Sequence, residues 1–329
     1  MRRRNFMALL GGAASSSLTF TDARAQSGNP TIGFLGATSP RTYSSFVGGF
    51  LQGLKETGFN DGENVTITYH WAEGQYDRLP ALAADLASRN VSVMVATGGL
   101  PSSAAAKQAT STIPIVFTLG SDPVKFGLVS SLNRPGGNIT GITLFAYLLD
   151  VKRVELLHEL MPGSSAVALL VNPSSPAQVD AQYGDVEAAC RKFGEKLVIL
   201  KATTDDEIDQ AVATVAREKM NGLLVSADPL FLSKRERIVG LVTRHSIPAI
   251  YEWRQFVEAG GLMSYGIDLV DAYRQAGIYV GRILHGAKPA DLPILQPAKF
   301  EFVINLKTAK ALGITVPNTM LVAANDVIE

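Results

Sequence analysis

The chain has 329 residues, 47% hydrophobic and 18% charged, with 30 basic and 30 acidic side chains. That composition excludes a disordered, collagenous or coiled-coil protein and supplies enough apolar material for two domains. Beyond the N-terminus there is no basic tract, which excludes nucleic acid and an anionic membrane surface as partners.

The first segment reads as a leader. Arg2, Arg3 and Arg4 form a basic start, a weakly apolar stretch follows from Phe6 to about Phe20, and Ala23-Arg24-Ala25 supplies an A-x-A cleavage pattern. Arg3-Arg4-Asn5-Phe6-Met7 resembles a twin-arginine export signal, with the general secretory route as the alternative. Cleavage near Ala25 removes four arginines and Asp22 and leaves 26 basic and 29 acidic residues, a net charge of −3. The expected location is the periplasm. No cysteine stands at the cleavage site, so no lipid anchor is expected. Cys190, the single cysteine, falls in helical register with Val179, Tyr183, Val186 and Phe193 and reads as core packing.

Beyond the leader, strand-length apolar runs alternate with helix-period segments. Strands are expected at 31–36, 64–70, 91–96, 114–119, 166–171, 196–200, 222–226 and 247–251. Phe46, Phe50 and Leu54 repeat every four residues until Gly58, as on one face of a helix. Such alternation predicts an α/β fold with parallel sheets flanked by helices. The pattern then repeats. "IGFLGATSP" ends at Pro40 and "VALLVNPSSP" at Pro176, while "STIPIVF" and "HSIPAIY" place Pro114 and Pro248 alike. Two Rossmann-like lobes follow from that repeat. The turn-rich "LNRPGGNITGI", 132–142, is the expected crossing between them. After the second lobe's strands come a short strand in "GGLMSYG", a helix from about Asp268 to His285, a proline-rich connection and a strand in "FEFVINL". The expected division is 30–140 plus about 261–295 for lobe one, and 141–260 plus about 296–329 for lobe two.

Ligands of open parallel sheets sit beyond the carboxyl ends of the strands. The residues there are Thr38 and Ser39, Thr97 and Gly98, Asp122, Asn172 and Ser175, Asp228, Tyr251, and Tyr265 with Gly266. Hydroxyls, amides and exposed backbone suit an uncharged or zwitterionic solute. Helix N-termini suit its carboxylate, and Asp122 or Asp228 an ammonium group. The same Ser and Asp residues are also ordinary helix caps and turn formers. Thr38 and Ser39 are expected to face Asn172 and Ser175 across one cleft. No nucleophile elbow, P-loop, dinucleotide fingerprint or metal-spaced histidine pair is present, so neither cofactor nor metal is expected. A racemase or hydrolase acting in the same cleft is the enzymatic alternative, with Asp122 and Asp228 lacking obvious partners.

Four long segments carry a family resemblance: "WAEGQYDRLPALAADL" (71–86), "IPIVFTLGSDPVKFGLVSSLNRPGGNITGI" (113–142), "FVEAGGLMSYGIDLVDAYRQAG" (256–277) and "FEFVINLKTAKALGITVP" (300–317). They resemble ABC-transporter substrate-binding proteins of the family with tryptophan- and tyrosine-binding members. The resemblance implies a type I periplasmic-binding-protein fold with a three-segment hinge. It also implies a monomer that delivers a small solute, an amino acid or related molecule, to an inner-membrane permease. A ligand-presenting sensor partner is the variant of that role. Few aromatic residues lie in the loops themselves, so the solute class stays open.

Overall fold

The computed structural model describes residues 28–174 and 176–329; the expected leader and Ser175 lie outside the described residues. Chain order begins with β1 (Thr31–Gly36), α1 (Pro40–Glu56), β2 (Thr66–Trp71), α2 (Leu79–Ser88), β3 (Val93–Thr97), α3 (Leu100–Ala109), β4 (Ile115–Leu119) and β5 (Ile139–Thr143). These five strands form one parallel sheet in the order β2-β1-β3-β4-β5.

Local chemistry explains the elements. Ser39 caps α1 by accepting from the Thr42 amide, and Pro40 occupies its first turn, where no amide is needed. Tyr43, Phe46, Phe50 and Leu54 fall on one face and are buried. β3 and β4 are buried at every residue, as central parallel strands covered on both faces must be.

The chain then crosses to a second sheet. Its elements are α4 (Asp150–Leu160), β6 (Ala166–Val171), α5 (Pro176–Lys192), β7 (Lys196–Lys201), α6 (Asp205–Arg217), β8 (Gly222–Val225), α7 (Pro229–Ser233), α8 (Arg235–Arg244), β9 (Ala249–Tyr251), α9 (Arg254–Glu258) and β10 (Met263–Ile267). A returning helix, α10 (Leu269–Leu284), precedes β11 (Phe300–Asn305), α11 (Leu306–Ala311), α12 (Asn318–Ala323) and β12 (Asp326–Ile328). The second sheet runs β12-β11-β10-β9-β8-β6-β7, and only β10 and β11 pair antiparallel. Its β7-β6-β8-β9-β10 portion has the strand order of the first sheet, so the sequence repeat is a repeat of topology. Cys190 is fully buried in the core of the second lobe with Val186.

Three differences from the sequence expectation concern the crossings. The turn-rich 132–142 segment is not itself the crossing. Its last residues enter β5 on the edge of the first sheet, and the chain crosses through 144–149. β10 belongs to the second sheet, pairing with Tyr251 and Ile250 of β9, whereas the expected division puts 261–267 in lobe one. The second crossing therefore falls at Asp268, between β10 and α10. The third follows Leu295, whose backbone still bonds Gly141 and Thr143 of the first sheet. β12 carries no strong strand pattern of its own and forms by pairing with β11.

A buried charged cluster joins two crossings. The Arg153 guanidinium donates to the Ala146 carbonyl (3.2 Å) in the first crossing and to the Tyr265 carbonyl (2.8 Å) at the end of β10. It is ion-paired with Asp150 and lies 3.6 Å from Glu252. All three side chains are essentially inaccessible to solvent. Burial raises the carboxyl groups of Asp150 and Glu252 against the opposing pull of Arg153, and Asp150 raises Glu252 further. One cation facing two buried carboxyls is best satisfied when one of them, Glu252, holds a proton.

Candidate ligand-binding cleft

The carboxyl ends of β3, β4 and β5 meet those of β8 and β9 around a partly open cleft with about 50 Å³ of free volume. That is room for a few waters in its present form. From the first lobe, Tyr43 and Phe46 of α1, Tyr76 after β2, the Gly98–Pro101 turn into α3, and Thr118 to Gly120 line it. From the second come Ala227 to Pro229, Leu232 and Trp253. Tyr273 of α10 completes the wall.

The wall is aromatic and ordered. The Phe46 and Tyr273 rings stack at 5.2 Å, and Tyr43 meets both edge-on at 5.4 and 5.8 Å. Tyr43 and Tyr273 stand beside the buried Thr38 and Thr97, and the Thr97 hydroxyl donates to the Leu35 carbonyl (3.3 Å). Burial pushes both phenols well above their usual range, so they stay neutral donors. Gly98 has a φ of +91°, and a Cβ there would lie 2.8 Å from the Tyr43 hydroxyl. The turn thus needs glycine both for its left-handed backbone and for the close approach of the tyrosine. Gly99 is the N-cap of α3 and supplies no side-chain acceptor; Pro101 has no amide and Ser103 bonds Gly99, so Leu100 is the cavity-lining residue of that first turn with an amide to offer.

Among the described residues Asp228 is the one carboxylate on the cavity wall. Its Oδ1 accepts from Asn172 Nδ2 (3.0 Å), the Leu230 amide (2.8 Å) and, across the cleft, the Tyr76 hydroxyl (3.2 Å). Burial raises its carboxyl to about 6, outweighing these three donors. A second cross-lobe link, Arg41 to Glu236 at 3.3 Å, is exposed.

Of the residues expected from sequence, Gly98 and Asp228 line the cavity, Asn172 stands behind and holds Asp228, and Thr38 and Thr97 are buried behind the wall. Ser39 serves as the α1 cap, and Asp122 accepts from the amides of Val124 and Lys125 in its own turn. Ser175 lies outside the described residues, so of the expected facing loops Thr38 is seen buried in the first lobe and Asn172 holding Asp228 in the second. Three expectations are corrected. Tyr251 is fully buried and stacked on Phe256 at 4.5 Å, within the second lobe. Tyr265 is on a separate groove with Phe300 and Phe302. Gly266 is pressed against β9, where a Cβ would meet the Glu252 carbonyl at 1.9 Å. Sequence reasoning missed Phe46, Tyr76, Trp253 and Tyr273 as wall residues. The helix pattern that buries Phe46 gives no sign that the buried face ends at a cavity. Among the described residues no cluster of potential metal ligands is present.

Two α/β lobes, three crossings and a cleft between the lobes define a two-lobed solute-binding protein. The chain belongs to the ABC transporter substrate-binding protein family, whose model matches residues 38–328. A tyrosine-binding protein of Clostridioides difficile (strain R20291) is 30% identical over 305 residues, covering 92% of this chain and 85% of that protein. The crystal structure of an ABC domain in complex with L-Trp from Streptococcus pneumonia superposes with a TM-score of 0.81 at 28% identity, over 91% of this chain and 100% of that one. The ligand-free, open structure of a substrate-binding protein with adhesive properties from Clostridium difficile gives 0.66, also at 28% identity, over 91% and 99%. The present chain thus superposes better on the complex than on the open form. The fold is that of the type I periplasmic binding proteins.

Proposed function

We propose that this protein captures an aromatic L-amino acid between its lobes and passes it, chemically unchanged, to an ABC permease after export. The observation that carries the ligand class is the pairing of Asp228 with an aromatic wall. A buried carboxylate that lacks a cation favours an ammonium group, and the stacked Phe46, Tyr43 and Tyr273 rings favour a planar side chain. The open N-terminus of α3 suits the ligand carboxylate. The names of the related proteins, one tyrosine-binding and one crystallised with L-Trp, point the same way. Binding works by lobe closure, since a ligand that touches both lobes is differentially bound by the closed state. The protein acts as a monomer and as a carrier, without turnover. Among the described residues no helix is long and apolar enough to cross a membrane, consistent with a carrier that meets its permease from outside the bilayer.

Calorimetry and thermal-shift measurements on the protein with L-tyrosine, L-tryptophan and L-phenylalanine test the proposal, with L-leucine and galactose as controls. A true ligand at about 100 times its Kd stabilises the folded state by about 2.7 kcal/mol. At least one aromatic amino acid should do so and be recovered intact. Stabilisation by galactose and not by any aromatic amino acid would overturn the ligand class.

A further inference from the structure

Trp253 lines the cleft from the end of β9, is 7% exposed, and its indole Nε1 has no hydrogen-bond partner among the described residues. Thr118 lines the same cavity from the end of β4 in the other lobe. It is 3% exposed, and its Oγ1 is likewise unpartnered among the described residues. A buried donor left without an acceptor is costly, and the great majority of buried polar groups are paired. An indole nitrogen can only donate, so its partner must be an acceptor. Both residues line one cavity from opposite lobes, and a ligand that parts and refills that cavity can bring the acceptor their polar atoms lack.

We propose that Trp253 Nε1 and the Thr118 hydroxyl are the specificity-determining donors that grip the ligand carboxylate across the closed cleft. This rests on the aromatic amino acid reading of the site. L-Tryptophan and L-phenylalanine carry no oxygen other than the carboxylate, so in those ligands it is the sole strong acceptor. The ammonium group is assigned to Asp228, which leaves the carboxylate for these donors and for the Leu100 amide at the start of α3. Charge-assisted bonds of this kind are stronger than neutral ones. Because one donor comes from each lobe, the pair forms only on closure. It ties recognition of the carboxylate to the shape that a permease reads.

The experiment compares wild type with W253F and T118V, using calorimetry with L-tryptophan and L-phenylalanine and thermal melts with and without ligand. W253F keeps an aromatic ring and removes the N–H; T118V keeps the shape and removes the hydroxyl. Each variant should weaken both amino acids about tenfold or more. The ligand-free melting temperature should stay level or rise, because an unpaired buried donor has been removed. Tryptamine, which lacks the carboxylate, should lose less affinity on W253F than L-tryptophan does. Unchanged L-tryptophan affinity in both variants overturns the assignment. So does an equal loss for L-tryptophan and tryptamine, which marks a packing effect. A fall in the ligand-free melting temperature that accounts for the weaker binding does the same. If no aromatic amino acid binds wild type, the ligand reading fails and the carboxylate assignment falls with it. Binding to wild type that survives in the variants removes the assignment alone.

Discussion

The Asp228 carboxyl sits at about 6 because burial outweighs three hydrogen bonds, one of them from the opposite lobe. Its folded value is raised, so its contribution to the closed state is fully present below the ordinary value of 3.8 and is lost as pH rises through about 6. An ammonium ligand reverses the balance by favouring the ionised form. Affinity for an aromatic amino acid should therefore fall as pH drops from 7.5 to 5, with proton release on binding near pH 6, measurable by calorimetry in buffers of different ionisation enthalpy. D228N should leave the ligand-free protein as stable or more stable at pH 7, by on the order of 1–3 kcal/mol in urea denaturation. It should also weaken ligand binding at least tenfold. A less stable variant with normal affinity would remove Asp228 from the site. In the sequence Asp228 is visible as the Asp of an Asp-Pro turn, and its bond to the Leu230 amide bears out that ordinary role. Its cleft position is visible too, from its place just after β8. Tyr76 is not, although it reaches Asp228 from 152 residues away. No local pattern encodes that meeting.

At the level of the element, α1 and α10 approach through glycine. A Cβ on Gly53 would lie 1.8 Å from the Arg274 carbonyl, and one on Gly277 2.1 Å from the Phe50 carbonyl. Gly49 and Gly281 are equally closed, against Val270 and Thr57. Backbone atoms cannot yield as a flexible side chain can. G53A and G277A should each cost about 1–3 kcal/mol or more, read as a lower urea midpoint, whereas G48A, with nothing within 4 Å, should be neutral or slightly stabilising. The Arg153 cluster makes an element-level prediction of its own. Arg153→Met removes the cation from beside two buried carboxyls and should destabilise by about 3–5 kcal/mol. Both groups have raised folded values, so the loss should grow as pH rises from 5 to 8. Equal loss at both pH values would show that the cluster is not ionised as described. Period and propensity make α1, α10 and most strands legible in the sequence. β5 is obscured because "NITGI" follows a run of turn residues and is short. β10 is legible as a strand but not as a member of the second sheet, since strand pattern carries no information on partner. The glycine stripe is legible as four glycines and not as a contact.

On the scale of the whole molecule, the two sheets repeat one strand order, and the clearest sequence signal of the fold is that repetition. The additional β11 and β12 extend only the second sheet, so the lobes are alike in plan and unequal in size. Their present closure is held by a few polar links, Tyr76 to Asp228 and the exposed Arg41 to Glu236. An exposed pair of that kind contributes at most about 1 kcal/mol. Closure without ligand therefore rests on little, and a solute that fills the cleft can decide it.

The return of α10 to the first lobe also sets the order in which the chain can be completed. The lobe that starts at Thr31 lacks its packing partner for α1 until residues 269–284 have been made. Until then Phe46 lacks Tyr273, although Phe50 already meets Phe34 of β1. The second lobe is interrupted in turn, waiting for β11 and β12 beyond residue 300. Neither half can be finished as an independent unit while the chain is still growing. Such distant pairings slow folding and prolong exposure of apolar surface. Late completion keeps the chain loose until nearly all of it has been synthesised.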